Sequence, residues 1–138
     1  MEYEIDLRNG LGEIRFGMLP SEVENILGPD QIFEEWMGGN LEGFYFYKGL
    51  LIGFSGGSDE CPDESSKVCL FTVKPEHDLI LWGVNISKCS ISELKDLLVS
   101  EKIDYKLIGN NIVQSESGKL QFNFSSAGNL DEFYFEQH

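Results

Sequence analysis

Four carboxylates crowd into the run SGGSDECPDESSKV at 55–68: Asp59, Glu60, Asp63 and Glu64. Hard oxygen ligands at that density suit calcium. The spacing does not: the EF-hand order D-x-[DN]-x-[DN]-G with a Glu at position twelve is not present, and Pro62 restricts the backbone. No dedicated metal site and no cofactor are expected. Two readings of the run remain, a docking surface for a basic partner and a solvated turn.

Catalytic chemistry finds little to work with. His77 and His138 are the two histidines, and the chain contains no G-x-S-x-G, P-loop, G-x-G-x-x-G or H-E-x-x-H pattern. Cys69 and Cys89, the cysteines nearest His77 in sequence, have no evident third partner. Glu34 and Glu35 are neighbours on a strand-like run, so their side chains point to opposite faces and make a poor acid–base dyad. The expectation is a protein that is not an enzyme.

Charge narrows the partners. Ten Lys and Arg oppose 24 Asp and Glu, a formal net charge of −14. Phosphate backbones and anionic lipid repel such a surface, and the few cations are scattered, so neither nucleic acid nor membrane is an expected partner. A basic protein is, because complementary fields speed encounter and disfavour wrong partners. Acidity that serves only solubility is the competing reading.

At 138 residues, with 41% apolar and 12% aromatic residues, the chain reads as one domain. That length can bury roughly 70% of its unfolded surface without staples. Three cysteines, Cys61, Cys69 and Cys89, match no metal spacing and suggest reduced thiols, with a Cys61–Cys69 bridge across the acidic run as the alternative. The start, MEYEIDLRNG, lacks the features of a signal peptide, and no apolar run approaches the roughly 20 residues of a membrane helix. A cytoplasmic location is expected.

The elements that must position these residues come in two sets. In IRFGMLPSEVENILG (14–28), Pro20 suits a first helical turn, and Val23, Ile26 and Leu27 form one apolar face before Gly28-Pro29 stops the helix. In LILWGVNISKCSISELKDLLVSEKI (79–103), Ser90 or Ser92 can cap a helix whose Leu94, Leu97 and Leu98 repeat that face. Upstream, IRFGM matches ILWGV. Downstream of the first helix come QIFEEWM, EGFYFYK, LLIGFS and VCLFTV, and of the second DYKLI, NIVQS, KLQFNFS and LDEFYFEQ. LLIGFSGG corresponds to KLQFNFSS and KVCLFTV to NLDEFYF. The second set turns through SSAGN where the first detours through the acidic run.

The expected fold is α+β: a tandem repeat of a short helix plus an antiparallel four-strand meander, forming one extended antiparallel sheet with helices on one face. It is a single domain, 1–138, of two repeats at about 9–75 and 76–138. The uncovered sheet face must be solvated or used for binding. In FYFYK, Phe44 and Phe46 alternate with Tyr45 and Tyr47, so both faces carry aromatics, and the tyrosines suit a binding surface. Trp82, beside Gly83, reads as core, and Trp36, before Met37-Gly-Gly, as surface.

The pattern IRFGMLPSEVENILGPD…FYFYKGLLIGFS…KVCLFTV resembles the repeat of β-lactamase-inhibitor-type folds and of small outer-membrane-assembly lipoproteins, in which a G-M-x-x-x-x-V-x-x-x-L-G-x-P helix precedes the strands. Gly17, Met18, Val23, Leu27 and Gly28 match, and Pro29 comes one position early. The lipoproteins need a signal peptide and a lipidated cysteine near the start, which are not expected here, and the secreted, disulfide-bonded inhibitors also fit poorly. In size, acidity and helix-plus-sheet style it is more similar to small cytosolic immunity proteins that neutralise bacterial toxins. That resemblance implies a protein-binding inhibitor of a basic cognate toxin, for example a nuclease. Its contact surface is expected to draw on Asp59, Glu60, Asp63, Glu64, Glu34, Glu35, Trp36, Tyr45 and Tyr47. The alternative is a non-catalytic regulator or assembly subunit that self-associates through a sheet edge.

Overall fold

The computed structural model describes residues 2–28, 44–47, 49–55, 66–75 and 78–137. The fold is mixed α+β with two helices and two sheets. Both helices follow from the local code. Helix α1, Pro20–Leu27, has proline at its first turn, and the Glu22 carboxylate accepts the Leu19 N–H at 3.0 Å. Gly28 ends it at φ 86°, where a left-handed turn favours glycine. Helix α2, Ile91–Ser100, is capped by Ser90 rather than Ser92. Ser90 Oγ accepts the Glu93 N–H and Glu93 Oε1 accepts the Ser90 N–H, each at 3.2 Å. Val23, Leu94 and Leu98 are buried as their spacing predicts, whereas Ile26 lies exposed.

The strands run β1 Glu2–Asp6, β2 Gly10–Leu11, β3 Ile14–Arg15, β4 Phe44–Tyr47, β5 Leu50–Ser55, β6 Lys67–Val73, β7 Asp78–Leu81, β8 Val84–Asn85, β9 Tyr105–Ile108, β10 Ile112–Ser115, β11 Leu120–Phe124 and β12 Leu130–Glu136. They form two sheets instead of one extended sheet. A seven-stranded sheet has the order β4-β5-β6-β12-β11-β10-β9, and a five-stranded sheet the order β3-β2-β1-β7-β8. The departure has a physical cause in β1. It pairs antiparallel with β2 and parallel with β7, so it collects the short hairpins ahead of each helix into a sheet of their own. Ile5, Leu11, Ile14, Leu79 and Leu81 of that sheet and the helical Val23, Leu94 and Leu98 share one core with the inner face of the larger sheet.

The four-strand meander expected after the second helix is present as β9 to β12, and the described part after the first is β4 to β6. QIFEEWM lies outside the described residues. The matched segments IRFGM and ILWGV occupy different places. Ile14-Arg15 is the returning strand of a hairpin, whereas Trp82-Gly83 is a hairpin turn, with Leu81 paired to Val84. Both turn residues have positive φ, 52° and 79°, as the twist-matched two-residue turn requires.

The two halves of the large sheet meet at β6 and β12, where Phe71 pairs with Phe135, Thr72 with Tyr134 and Val73 with Phe133. Phe71 stacks on Phe135, Phe135 on Phe133 and Phe133 on Phe122, with ring centroids 4.9–5.3 Å apart. The fully buried Phe133 ring lies inside this stack, so Phe133→Ala is expected to lower stability by about 3–5 kcal/mol in urea titration. Gly10 has φ 142°, and a Cβ there would lie 2.1 Å from the Ile14 carbonyl oxygen. Gly118 has φ 77° and nothing within 4 Å of such a Cβ. Gly118→Ala should therefore lose ~1 kcal/mol from backbone strain alone. Gly10→Ala, which also breaks the β2–β3 hairpin, should lose more than ~2 kcal/mol.

Candidate functional site

The register decides where the tyrosines point. Tyr45 pairs with Ile52 and Tyr47 with Leu50, both inward residues, so the pair expected on a binding surface turns to the core. Tyr47 is only 7% exposed and its hydroxyl donates to the Gly28 carbonyl at 3.0 Å, tying β4 to the end of α1. Tyr45 is half-buried, its ring edge-on to Phe54 at 4.9 Å. Glu34, Glu35, Trp36, Asp59, Glu60, Asp63 and Glu64 lie outside the described residues.

The feet of the acidic run are within the structure. Strands β5 and β6 pair out to Ser55 opposite Lys67, on either side of the acidic run in sequence, as β11 and β12 pair on either side of 125–129. On the far side of the run, Val68 donates its N–H to the Met18 carbonyl and accepts from Gly17, both at 2.9 Å. The segment ahead of α1 therefore holds one foot of the hairpin. Ser90 bridges to Asn129 in the corresponding place ahead of α2. Cys69 and Cys89 carry free thiols, and burial, followed by the nearby Glu136 and Glu93 respectively, pushes both up. Cys61 lies outside the described residues.

Across β10 to β12 the outer face of the large sheet carries hydrogen-bonded polar side chains, whereas Leu51 and Leu70 lie on the same face in β5 and β6. Gln114 donates to Gln121 and Gln121 to Asn123, each at 2.9 Å, and the Tyr134 hydroxyl donates to Glu136. Burial, then the bond to Glu136 and its charge, pushes the Tyr134 phenol far up, so it stays a donor throughout the physiological range. Glu132 on this face is also pushed up, by burial, against the opposing pull of Lys74.

A second feature lies where the parallel β1 and β7 end together. An open groove of about 800 Å³ is floored by Leu7, Ile80, Trp82 and Ile103. Its rim carries Glu4, Asp6 and Glu101, with Arg8 the one cation among the described lining residues. Asp6 is held below the usual carboxylate range by the Asn9 side chain at 2.8 Å and the Arg8 N–H at 3.0 Å. Trp82, expected in the core from its place beside Gly83, packs against the core and also lines the groove. Among the described residues no three of His, Cys, Asp or Glu gather as a metal-binding group, and no helix is long and apolar enough to cross a membrane. Comparison with known proteins produces no match: no family model fits the chain, and no curated protein or solved structure is significantly similar to it.

Two outcomes follow from these geometries. Tyr47→Phe removes one partly buried hydrogen bond and should lower stability by about 1 kcal/mol in urea titration. Glu132 binds its proton more readily folded than unfolded, so its contribution to stability falls as pH rises from the ordinary glutamate range through the raised value. Glu132→Gln should therefore raise the melting temperature at neutral pH. Its advantage should fade in acid, below the ordinary glutamate range, which thermal scans across pH will read.

Proposed function

We propose that the chain is a non-catalytic protein-binding inhibitor of a basic partner, and more specifically an immunity protein that neutralises a cognate toxin. The observation that carries this reading is the placement of the acidic run in a protein of net charge −14. Asp59, Glu60, Asp63 and Glu64 fall in sequence between the paired Ser55 and Lys67, a connection of residues 56–66 where the β11–β12 hairpin has only 125–129. A loop added to a rigid scaffold is where binding functions are commonly grafted. Glu34, Glu35 and Trp36 remain candidates for the same surface. Acidic groups at a rim set on-rate and specificity more than affinity.

The reading treats the chain as two copies of one unit, and the pairing geometry supports that. Register shifts fall at Gly53/Phe54 in one hairpin and at Asn123/Phe124 in the other, each at the loop end of its strand. Laying Lys67–Val73 over Asn129–Phe135 turns the Phe71–Phe135 pair into Phe133–Val73, which is itself a pair of the seam. Exchange of the halves thus leaves the central register unchanged, as a duplicated unit joined about a local two-fold would require.

The test begins with the product of the neighbouring open reading frame. If that product is a basic toxin, co-expression with this chain should restore growth, and the complex should associate more slowly as salt rises. Reversing Asp59, Glu60, Asp63 and Glu64 to lysine should slow association and flatten its salt dependence. A neighbour that is neither toxic nor bound overturns the toxin reading; unchanged association at low salt removes the loop from the interface.

A second reading draws on the edge strand β9. Glu116 donates to the Asp104 carbonyl, so the alternation leaves the backbone groups of Tyr105 and Leu107 on the open side. Leu107 is 49% exposed and Ile108 42%, with Val99 66% exposed on α2. An apolar open edge is a template for pairing, which favours an assembly subunit that self-associates there. Gel filtration over a wide concentration range separates the two, since a dimer lost in Leu107→Asp belongs to this second reading alone.

A further inference from the structure

The groove at the ends of β1 and β7 combines features that a merely solvated cleft does not need. Its floor is apolar and includes an indole, and its rim holds three carboxylates against one guanidinium. The indole is also kept there against a local preference. Trp82 has φ 52°, in the left-handed region where glycine or asparagine is favoured, and Gly83 beside it has φ 79°. The ring packs against the core on one side and, half-exposed, offers its other surface to the groove.

We infer that this groove receives an arginine side chain from a basic protein partner, its guanidinium against the Trp82 indole and between the Glu4 and Glu101 carboxylates. Arginine fits better than lysine on three counts. Its planar guanidinium stacks on an aromatic face, its fork matches carboxylates in pairs, and it sheds water more readily than an ammonium. Its methylene stem suits the apolar floor of Leu7, Ile80 and Ile103. Asp6 is committed to the Asn9 and Arg8 backbone bonds, which keeps its charge in place at the rim. Arg8 is the groove's own competing cation. The inference rests on the reading of this chain as a binder of a basic protein, and it names a second contact of that interface, apart from the acidic run.

The test is titration of the full chain with N-acetyl-arginine methylamide, read at the indole N–H resonance of Trp82. The chain has two tryptophans, and the Trp36→Phe variant assigns the signal. The citrulline analogue, equal in shape but uncharged, is the control. A saturable shift with the arginine probe and none with citrulline is expected. Glu4→Gln and Glu101→Gln should each weaken binding by about 3-fold, and Arg8→Gln should tighten it by about the same factor, the scale of an exposed ion pair. Trp82→Gly suits the turn's backbone and should keep the protein folded while abolishing binding, read for this variant by saturation transfer from the protein to the arginine probe, since its indole signal is gone. An unmoved Trp82 signal, an equal response to citrulline, or indifference to Arg8→Gln and both glutamine variants overturns the inference. Failure here with a basic partner still bound leaves the proposed function standing. A specific response in the groove, with no basic partner found, removes that function while the arginine site remains.

Discussion

The pairing of β6 with β12 is the constraint on which the rest of the molecule depends. Each strand ends a hairpin of its own half, and only their pairing makes one sheet of seven strands. The seam is also where the largest side chains meet, since Phe71, Phe133, Phe135 and Phe122 stack across it. Backbone ladder and aromatic burial therefore act at one place. Loss of either would leave two short sheets, each with an apolar face too small to exclude water by itself.

The second sheet depends on this seam indirectly. Its strands are short, two residues each in β2, β3 and β8, and such strands have little intrinsic stability. They persist because β1 joins both hairpins and because Leu11, Ile14, Leu79 and Leu81 are fully covered by the shared core. The same junction creates the groove: a parallel β1–β7 pair ends both strands on one side, leaving Asp6, Ile80 and Trp82 around a common opening.

Much of this was legible in the sequence where the signal is local. The apolar spacing of Val23 and of Leu94 and Leu98, the serine cap and Gly28 located both helices, and period-two alternation located all four strands after α2. Long-range register was not legible. No short-range pattern tells β6 to pair with β12, or β1 to run parallel to β7, so one sheet was expected where two form. The candidate surface shows the same limit. FYFY carries aromatics on both faces, so alternation cannot say which pair turns inward; the Tyr45–Ile52 and Tyr47–Leu50 pairings decide it. Trp82 escaped notice as a turn residue because Trp-Gly is not a customary hairpin dipeptide, and its left-handed φ is imposed by the strands on either side.

The seam also orders events in time. Strand β6 leaves synthesis early, yet its partner β12 follows β7 to β11 along the chain. A nascent first half must therefore wait with one strand edge unsatisfied and with Phe71 and Val73 lacking their cover. Until β12 emerges, that waiting edge is open to the wrong neighbour, including β6 of another nascent chain on the same message. An architecture that closes at its middle makes folding a late, all-at-once event, and ties the yield of native protein to how long its first half remains alone.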